Sequence, residues 1–248
     1  MMVSIITINY NNSAGLESTI KSVISQQRVR FEYLVIDGNS TDGSKDVLEA
    51  FKHNIDYVVS ETDRGIYHAM NKGIKAATGT YLLFLNSGDV LLNEQVLYCA
   101  SPYLKTGLDI YYGDLQYVEA GNTHRAHFPE FLDFKYFFKA SLPHPASFIK
   151  RSLFDEVFYY NEALDIVSDW EFFICAICKY NASYQHLDLV VSDFEPGGIS
   201  WDPKYKLLQA NERRECLQKH FPRKYIIYKT HQRIANKLSK LKSILKPK

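Results

Sequence analysis

No stretch of this chain holds the roughly 18 to 20 consecutive apolar residues that a bilayer-spanning helix needs. Its strongest apolar runs, 81–85 and 90–92, are strand-sized. The N-terminus has no basic segment ahead of its apolar residues, so no secretory signal is read there and a cytoplasmic location is the expectation. Cysteine is scarce: four in 248 residues, with Cys99 and Cys216 standing alone, do not make a disulfide framework. Cys175 and Cys178 form a C-x-x-C pair, but Phe172, Phe173, Ile174 and Ile177 surround it and no second pair completes a zinc site, so they read as buried thiols. Both glycine-rich phosphate cradles are missing: no G-x-G-x-x-G follows the first apolar strand and no G-x-x-x-x-G-K-[ST] occurs, which sets aside dinucleotide dehydrogenases and P-loop NTPases. Asp37-Gly38-Asn39 lacks the second aspartate of a haloacid-dehalogenase-type phosphatase.

Acidic residues are absent from one region. From Cys216 onward there are ten Lys and Arg and no Asp or Glu, which leaves 19 basic against 28 acidic residues before it, a net of −9. An acidic body thus carries a basic tail. The body is 46% hydrophobic and 14% aromatic over the whole chain, which is ample for a packed core. Its first hundred residues alternate β-rich runs (Val3–Asn9, Phe31–Asp37, 55–60 and 81–86) with helical patterns (13–26, 42–53 and 65–77), the signature of a parallel sheet with helices on both faces. Ligands of such sheets bind beyond the carboxyl ends of the strands. Here those ends read Asn9-Tyr10-Asn11, Asp37-Gly38-Asn39-Ser40, Ser60-Glu61-Thr62-Asp63 and Asn86-Ser87-Gly88-Asp89. After about residue 108 an alternating pattern with a Gly121-Asn122 turn reads as a small hairpin.

Four segments, VSIITINYNN (3–12), LVIDGNSTDG (34–43), DRGIYHAMNKG (63–73) and FLNSGD (84–89), come in the order of the successive motifs of family 2 glycosyltransferases, which the chain resembles across its N-terminal half. The resemblance implies the GT-A nucleotide-diphospho-sugar transferase fold: α/β, with a mostly parallel central sheet, helices on both faces and, here, a C-terminal basic amphipathic helix. It divides the chain into a glycosyltransferase domain, 1–215, and a tail, 216–248. Within the domain, 1–108 is the nucleotide-sugar-binding half and 109–215 the acceptor and catalytic half. The implied activity is inverting, metal-dependent transfer from a nucleoside diphosphate sugar, UDP favoured, to a hydroxyl of a glycan or lipid-linked saccharide in surface polysaccharide biosynthesis. A non-catalytic nucleotide- or glycan-binding protein on the same fold is the alternative. The Q-x-x-R-W element of processive members is absent, so one sugar per encounter is expected.

Residue by residue, the resemblance makes Asp37 the carboxylate for the nucleobase, with Thr7, Asn9 and Tyr10 lining the same pocket. Turn and capping chemistry is the competing reading of Asp37 and Asp42. Asp89 matches the metal-binding aspartate for Mg²⁺ or Mn²⁺, a hard cation that with Asn86, Ser87 and Gly88 meets the diphosphate; Asn86 stands where a second aspartate is common. A plain Gly-Asp turn is the other reading. Asp63, Arg64, Asn71 and Lys72 lie in the segment that passes the nucleotide, with Arg64 and Lys72 as contacts to base or phosphate or as surface charges. Asp169 in SDWEFF (168–173) matches the catalytic base, although Ser168 and Glu171 also have capping-box spacing. His144, Trp170 and Glu171 are the acceptor-side candidates, and the 195–200 segment resembles an acceptor-side loop with Gly197-Gly198 as a hinge. In the tail, Ile227, His231, Ile234, Leu238, Leu241 and Leu245 form one helical stripe among basic residues, suited to an anionic membrane surface or to a partner helix. No specific nucleic acid is expected, because base-stacking aromatics are not interleaved with the charges. No feature sets an oligomeric state.

Overall fold

The computed structural model describes residues 2–119, 122–194, 198 and 201–244. Four strands lead the chain: β1 (Val3–Asn9), β2 (Phe31–Asp37), β3 (Tyr57–Ser60) and β4 (Tyr81–Phe84). They are parallel in the order β3-β2-β1-β4. Between them run helices α1 (Ser13–Ile24), α2 (Ser44–Ala50) and α3 (Ile66–Ala76). The central strands β1 and β4 are buried at every residue because both sides of the sheet are covered. Ile6, Ile8, Leu34, Ile36, Leu82 and Phe84 face one core, packed on Met70 and Ile74 of α3. Ile5, Tyr33, Val35 and Leu83 face the other, packed on Leu16, Ile20 and Val23 of α1.

Beyond β4 the sheet becomes mixed. The second half supplies β5 (Val90–Leu91), α4 (Val96–Leu104), β6 (Ile110–Glu119), β7 (Asn122–Ala126), α5 (Phe134–Phe137), β8 (Ser147–Lys150), α6 (Leu153–Glu156), α7 (Ser168–Cys178) and β9 (Tyr184–Phe194). The order continues β4-β8-β6-β9-β5, with β8 antiparallel to both neighbours and β7 paired to β6 as the expected hairpin. Residues 120 and 121 of its turn lie outside the described residues, as do 195–197, 199 and 200 of the expected acceptor-side loop.

Helix starts differ in detail from the sequence pattern. Asn12, not Ser13, caps α1, its Oδ1 accepting the Gly15 N–H at 3.1 Å. The second helix is shorter than 42–53: α2 ends at Ala50 and a 3₁₀ turn over Lys52–Asn54 follows. Two long helices close the chain, α8 (Lys206–His220) and α9 (Pro222–Ile244). α8 crosses position 216, and Cys216, Leu217 and Phe221 are buried in the body, so the chain leaves the body at Phe221-Pro222. There α9 docks by aromatic contacts, Tyr228 and Tyr225 against Phe138 (centroids 4.3 and 6.4 Å), while Ile226, Ile227 and Ile234 stay exposed.

The approach of α3 to β1 needs a residue without Cβ. A methyl group at Gly73 would stand 2.5 Å from Ile6 Cγ2 in the core. Gly73→Ala is therefore expected to destabilise the protein by about 1–3 kcal/mol through overpacking, read as a lower urea midpoint with unchanged slope.

Candidate active site

The in-register pairing of the three first strands sets Asn9, Asp37 and Ser60 side by side at their carboxyl ends. Asp37 is fully buried and saturated. Its Oδ1 accepts from Asn9 Nδ2 (2.8 Å) and Ser40 Oγ (2.5 Å), and its Oδ2 from the Ser40 N–H (3.0 Å) and Ser60 Oγ (2.6 Å). Burial by itself would raise its pKa, but the hydrogen bonds from Ser40, Ser60 and Asn9 outweigh it and hold the carboxyl below its ordinary value. Asn9 extends the network, its Oδ1 accepting from Ser87 Oγ at 2.7 Å, and Asn12 Nδ2 holds the Ser87 carbonyl at 2.9 Å. The turn after β4 is thereby tied to the end of β1.

In front of this network opens a cleft of about 680 Å³, within the usual range for a small-molecule site. Tyr10, Gly38, Asn39, Asp63, Asn86 and Ser87 are among its walls, with Gly65, Ile66 and Ala69 from the start of α3. Tyr10 is 71% exposed, a free aromatic face at the rim. The sequence assignment of Asp37 to the nucleobase meets a correction here: its four acceptor positions are occupied by the protein and it does not line the cleft. Among the described residues the carboxylate that does is Asp63. Its Oδ1 is held by Lys72 Nζ (2.6 Å) and by the ring of His68 (3.0 Å), and its Oδ2 lies beside Gly38.

Other assignments shift for equally local reasons. Thr7 points into the core, where its hydroxyl pairs with the Tyr33 hydroxyl at 3.1 Å. Lys72 does not face the cleft. It bridges Glu61 (2.7 Å) and Asp63, and although burial opposes it, the two carboxylates raise its pKa. Arg64 turns outward to Glu162 at 2.6 Å. Asn71 is buried and donates to the Tyr160 carbonyl (2.8 Å) and Glu162 Oε1 (3.1 Å), so it joins the two halves of the molecule and does not meet the nucleotide side.

The Asn86–Asp89 turn shows both faces of its two readings. Asp89 Oδ2 accepts the Asn86 N–H at 2.9 Å, which is turn chemistry, and Gly88 takes φ 108°, which suits glycine. Yet burial pushes Asp89 up to about 7, and Asn86 Oδ1 is buried with no partner. A desolvated carboxylate and an orphaned amide oxygen, three residues apart, are hard oxygen donors that fit Mg²⁺ or Mn²⁺. Among the described residues no group of three His, Cys, Asp or Glu could enclose such an ion alone, so the rest of its shell would come from the diphosphate and water.

On the second half, Asp169 stands in the first turn of α7 and accepts the Tyr67 hydroxyl on Oδ1 at 2.9 Å. The capping box does not form. Ser168 Oγ receives the Asn161 N–H (2.5 Å), and Glu171, buried, accepts from His220 (2.7 Å) and lies 3.7 Å from Lys219, clasping α7 to α8. Trp170 is also core, its indole N–H donating to the Phe137 carbonyl at 2.8 Å. His144 is buried against Phe84 and bonded to the Tyr160 hydroxyl at 2.8 Å, and burial lowers its pKa. Of the three acceptor-side candidates none faces open space. The residues that sequence reasoning missed are Ser40, Ser60, Tyr67 and Glu162. A signal existed for Tyr67: with Asn71 it puts polar atoms on the face of α3 that Met70 and Ile74 mark as buried.

Residues 4–161 match the family model described as glycosyl transferase family 2. The chain is a family 2 glycosyltransferase. Among relatives of this glycosyltransferase, a PGL/p-HBAD biosynthesis glycosyltransferase of Mycobacterium bovis is 32% identical over 205 residues, 80% of this chain and 79% of the relative. Among solved structures, S. aureus TarS 1–349 in complex with UDP-GlcNAc aligns with a TM-score of 0.66 at 20% identity over 80% of this chain. A mannosyltransferase from Pyrobaculum calidifontis in complex with GDP-Man and Mn²⁺ aligns with a TM-score of 0.66 at 16% identity over 88%. The glycosyltransferase spans 59% and 63% of those two chains, and they show the GT-A fold.

The depressed pKa of Asp37 makes its contribution to stability complete above the ordinary carboxylate pKa of about 4 and lost as pH falls through its lower folded value. Asp37→Ala is expected to lower stability at pH 7 by about 2–5 kcal/mol and to flatten the acid limb of thermal denaturation below about pH 4.

Proposed function

We propose that this glycosyltransferase moves a sugar from a nucleoside diphosphate sugar, UDP favoured, to a hydroxyl of a glycan or lipid-linked saccharide, with inversion at the anomeric carbon. The observation that carries the proposal is that α3, whose start forms part of the polar cleft at the strand ends, also bonds through Tyr67 to a carboxylate of the other half, Asp169, with Oδ2 unpartnered among the described residues. In this reading Tyr10 and Asp63 meet the nucleoside and the Asn86-Ser87 turn meets the diphosphate. Asp169 takes the proton of the acceptor hydroxyl as its oxygen bonds to the anomeric carbon. The bond from that carbon to the diphosphate oxygen breaks with its electron pair staying on the diphosphate. A single displacement from the opposite face inverts the configuration. Asp89 and Asn86 would hold Mg²⁺ or Mn²⁺, which when bound supplies stabilisation of the charge gathering on the leaving diphosphate. The UDP-GlcNAc and GDP-Man complexes of the structural neighbours support a nucleotide-sugar donor, and the M. bovis relative's name supports a biosynthetic role.

The exposed stripe of α9 extends the reading to location. Ile227 and Ile234 of that stripe, with Ile226 next to them, lie open beside Arg223 and Lys229, while the side chains of Leu238, Leu241 and Leu245 lie outside the described residues; an exposed apolar stripe in a tail without acidic residues suits the cytoplasmic face of an anionic membrane where a lipid-linked acceptor would reside. No helix of the described residues is long and apolar enough to cross a membrane.

Thermal stability against UDP, GDP, dTDP and CMP compounds, with and without Mn²⁺, tests the donor site. One nucleoside diphosphate at 100 times its dissociation constant should stabilise the native chain by about 2.7 kcal/mol. The metal-dependent part of that shift should vanish in Asp89→Ala, while Asp169→Asn should keep the full shift and lose turnover. Nucleotide binding with no transfer to any acceptor would instead make the chain a binding protein, and no shift at all would overturn the reading. For the tail, flotation with anionic vesicles should carry the native chain and leave Ile226→Ser/Ile227→Ser behind; equal behaviour of the two would refute the membrane surface.

A further inference from the structure

Tyr67 makes a contact across the molecule, from α3 in the donor half to α7 in the other. Its ring is buried against Tyr160 (centroids 5.6 Å), and its hydroxyl donates to Asp169 Oδ1 at 2.9 Å. Burial, reinforced by the charge of Asp169, pushes the phenol pKa well above its ordinary value against a smaller pull from the amides of Ser168 and Asp169. The hydroxyl therefore remains a proton-bearing donor and Asp169 the acceptor.

Filling space does not require that hydroxyl. Phenylalanine has the same ring, and a buried phenol needs a partner for its O–H. The partner here is a carboxylate in the first turn of a helix, with its second oxygen unpartnered among the described residues. Pinning Oδ1 removes rotation of the carboxylate about its last bond and leaves one oxygen for the acceptor. The chain around Tyr67 is itself fixed to the second half on both sides of it: Arg64, just ahead of α3, pairs with Glu162, and Asn71 within α3 donates to the Tyr160 carbonyl and Glu162. The same helix begins at the nucleotide cleft, where Gly65, Ile66 and Ala69 form a wall that Tyr67 does not join.

We infer that Tyr67 is a positioning residue of the transfer reaction: it holds the Asp169 carboxylate with Oδ2 toward the acceptor hydroxyl, in fixed relation to the bound donor. The inference rests on Asp169 as the base. Tyr67 keeps its own proton throughout, and the proton of the acceptor goes to Asp169 alone.

Hydrolysis of UDP-glucose, UDP-GlcNAc and GDP-mannose, with water as the acceptor, tests it in the full chain, comparing native, Tyr67→Phe, Asp169→Asn and the double variant. Tyr67→Phe is expected to lower kcat roughly 10- to 100-fold, with donor KM within about twofold of native and an unchanged melting temperature. In the Asp169→Asn background the same substitution should have no further effect. Native kcat in Tyr67→Phe, a loss that appears in KM instead, or an equal further drop in the double variant would each overturn the positioning role. Native kcat in Asp169→Asn would be a different failure, that of the base assignment. A native chain that hydrolyses none of the three donors would remove both.

Discussion

A buried carboxylate at the carboxyl ends of the parallel strands sets the terms for the rest of the site. An anion withdrawn from water is tolerated only when its oxygens are matched by donors. Asp37 obtains them from Asn9 on β1, from Ser40 after β2 and from Ser60 at the end of β3. Matching them fixes three strand ends to one another. Through the other end of the Asn9 side chain the same network reaches Ser87, and so positions the turn that carries Asn86 and Asp89. The polar floor of the cleft is thus a consequence of satisfying one internal charge, and the charge itself is used up in doing so. Its place at the surface of the cleft falls to Asp63, whose own charge Lys72 balances from behind.

α3 then transmits this arrangement to the other half. Its N-terminal approach is part of the cleft and its apolar side packs on β1, closely enough that position 73 has no room for a side chain. Its polar residues reach the second half at two points, Asn71 on Glu162 and Tyr67 on Asp169, and Arg64 just ahead of it adds a third on Glu162. A rigid element that touches both the strand-end cleft and the Asp169 carboxylate keeps the two in register, and holding groups in fixed relation is where much of the rate of an enzymatic transfer originates. On the far side of α7, Glu171 with His220 and Glu212 with the amides of Asp165 and Ile166 (2.8 and 3.0 Å) hold the first turn of α7 from α8. Asp169 is therefore braced from two directions by residues remote from it in sequence.

The alternation of apolar strands and amphipathic helices, and the rule that ligands gather at strand carboxyl ends, pointed from residues 3–89 to the end of the sheet where the cleft opens. Those signals are local: strand and helix periods repeat over a few residues, and turn residues act within four. Motif order supplied the family, and Asp169 at the start of a helix was legible for the same reason. What the sequence by itself did not determine is which polar residues face the ligand. Asp37 and Asp63 both follow strands and look equivalent, yet only Asp63 meets the cleft, because Asn9 and Ser60, distant in sequence, close around Asp37. Glu171 has capping-box spacing, but a histidine 49 residues later takes its carboxylate. Tyr67 and Asp169 are 102 residues apart, and no periodicity links them. Local chemistry determined the elements and the neighbourhood of the site; the direction of each side chain was decided only when folding chose its partners.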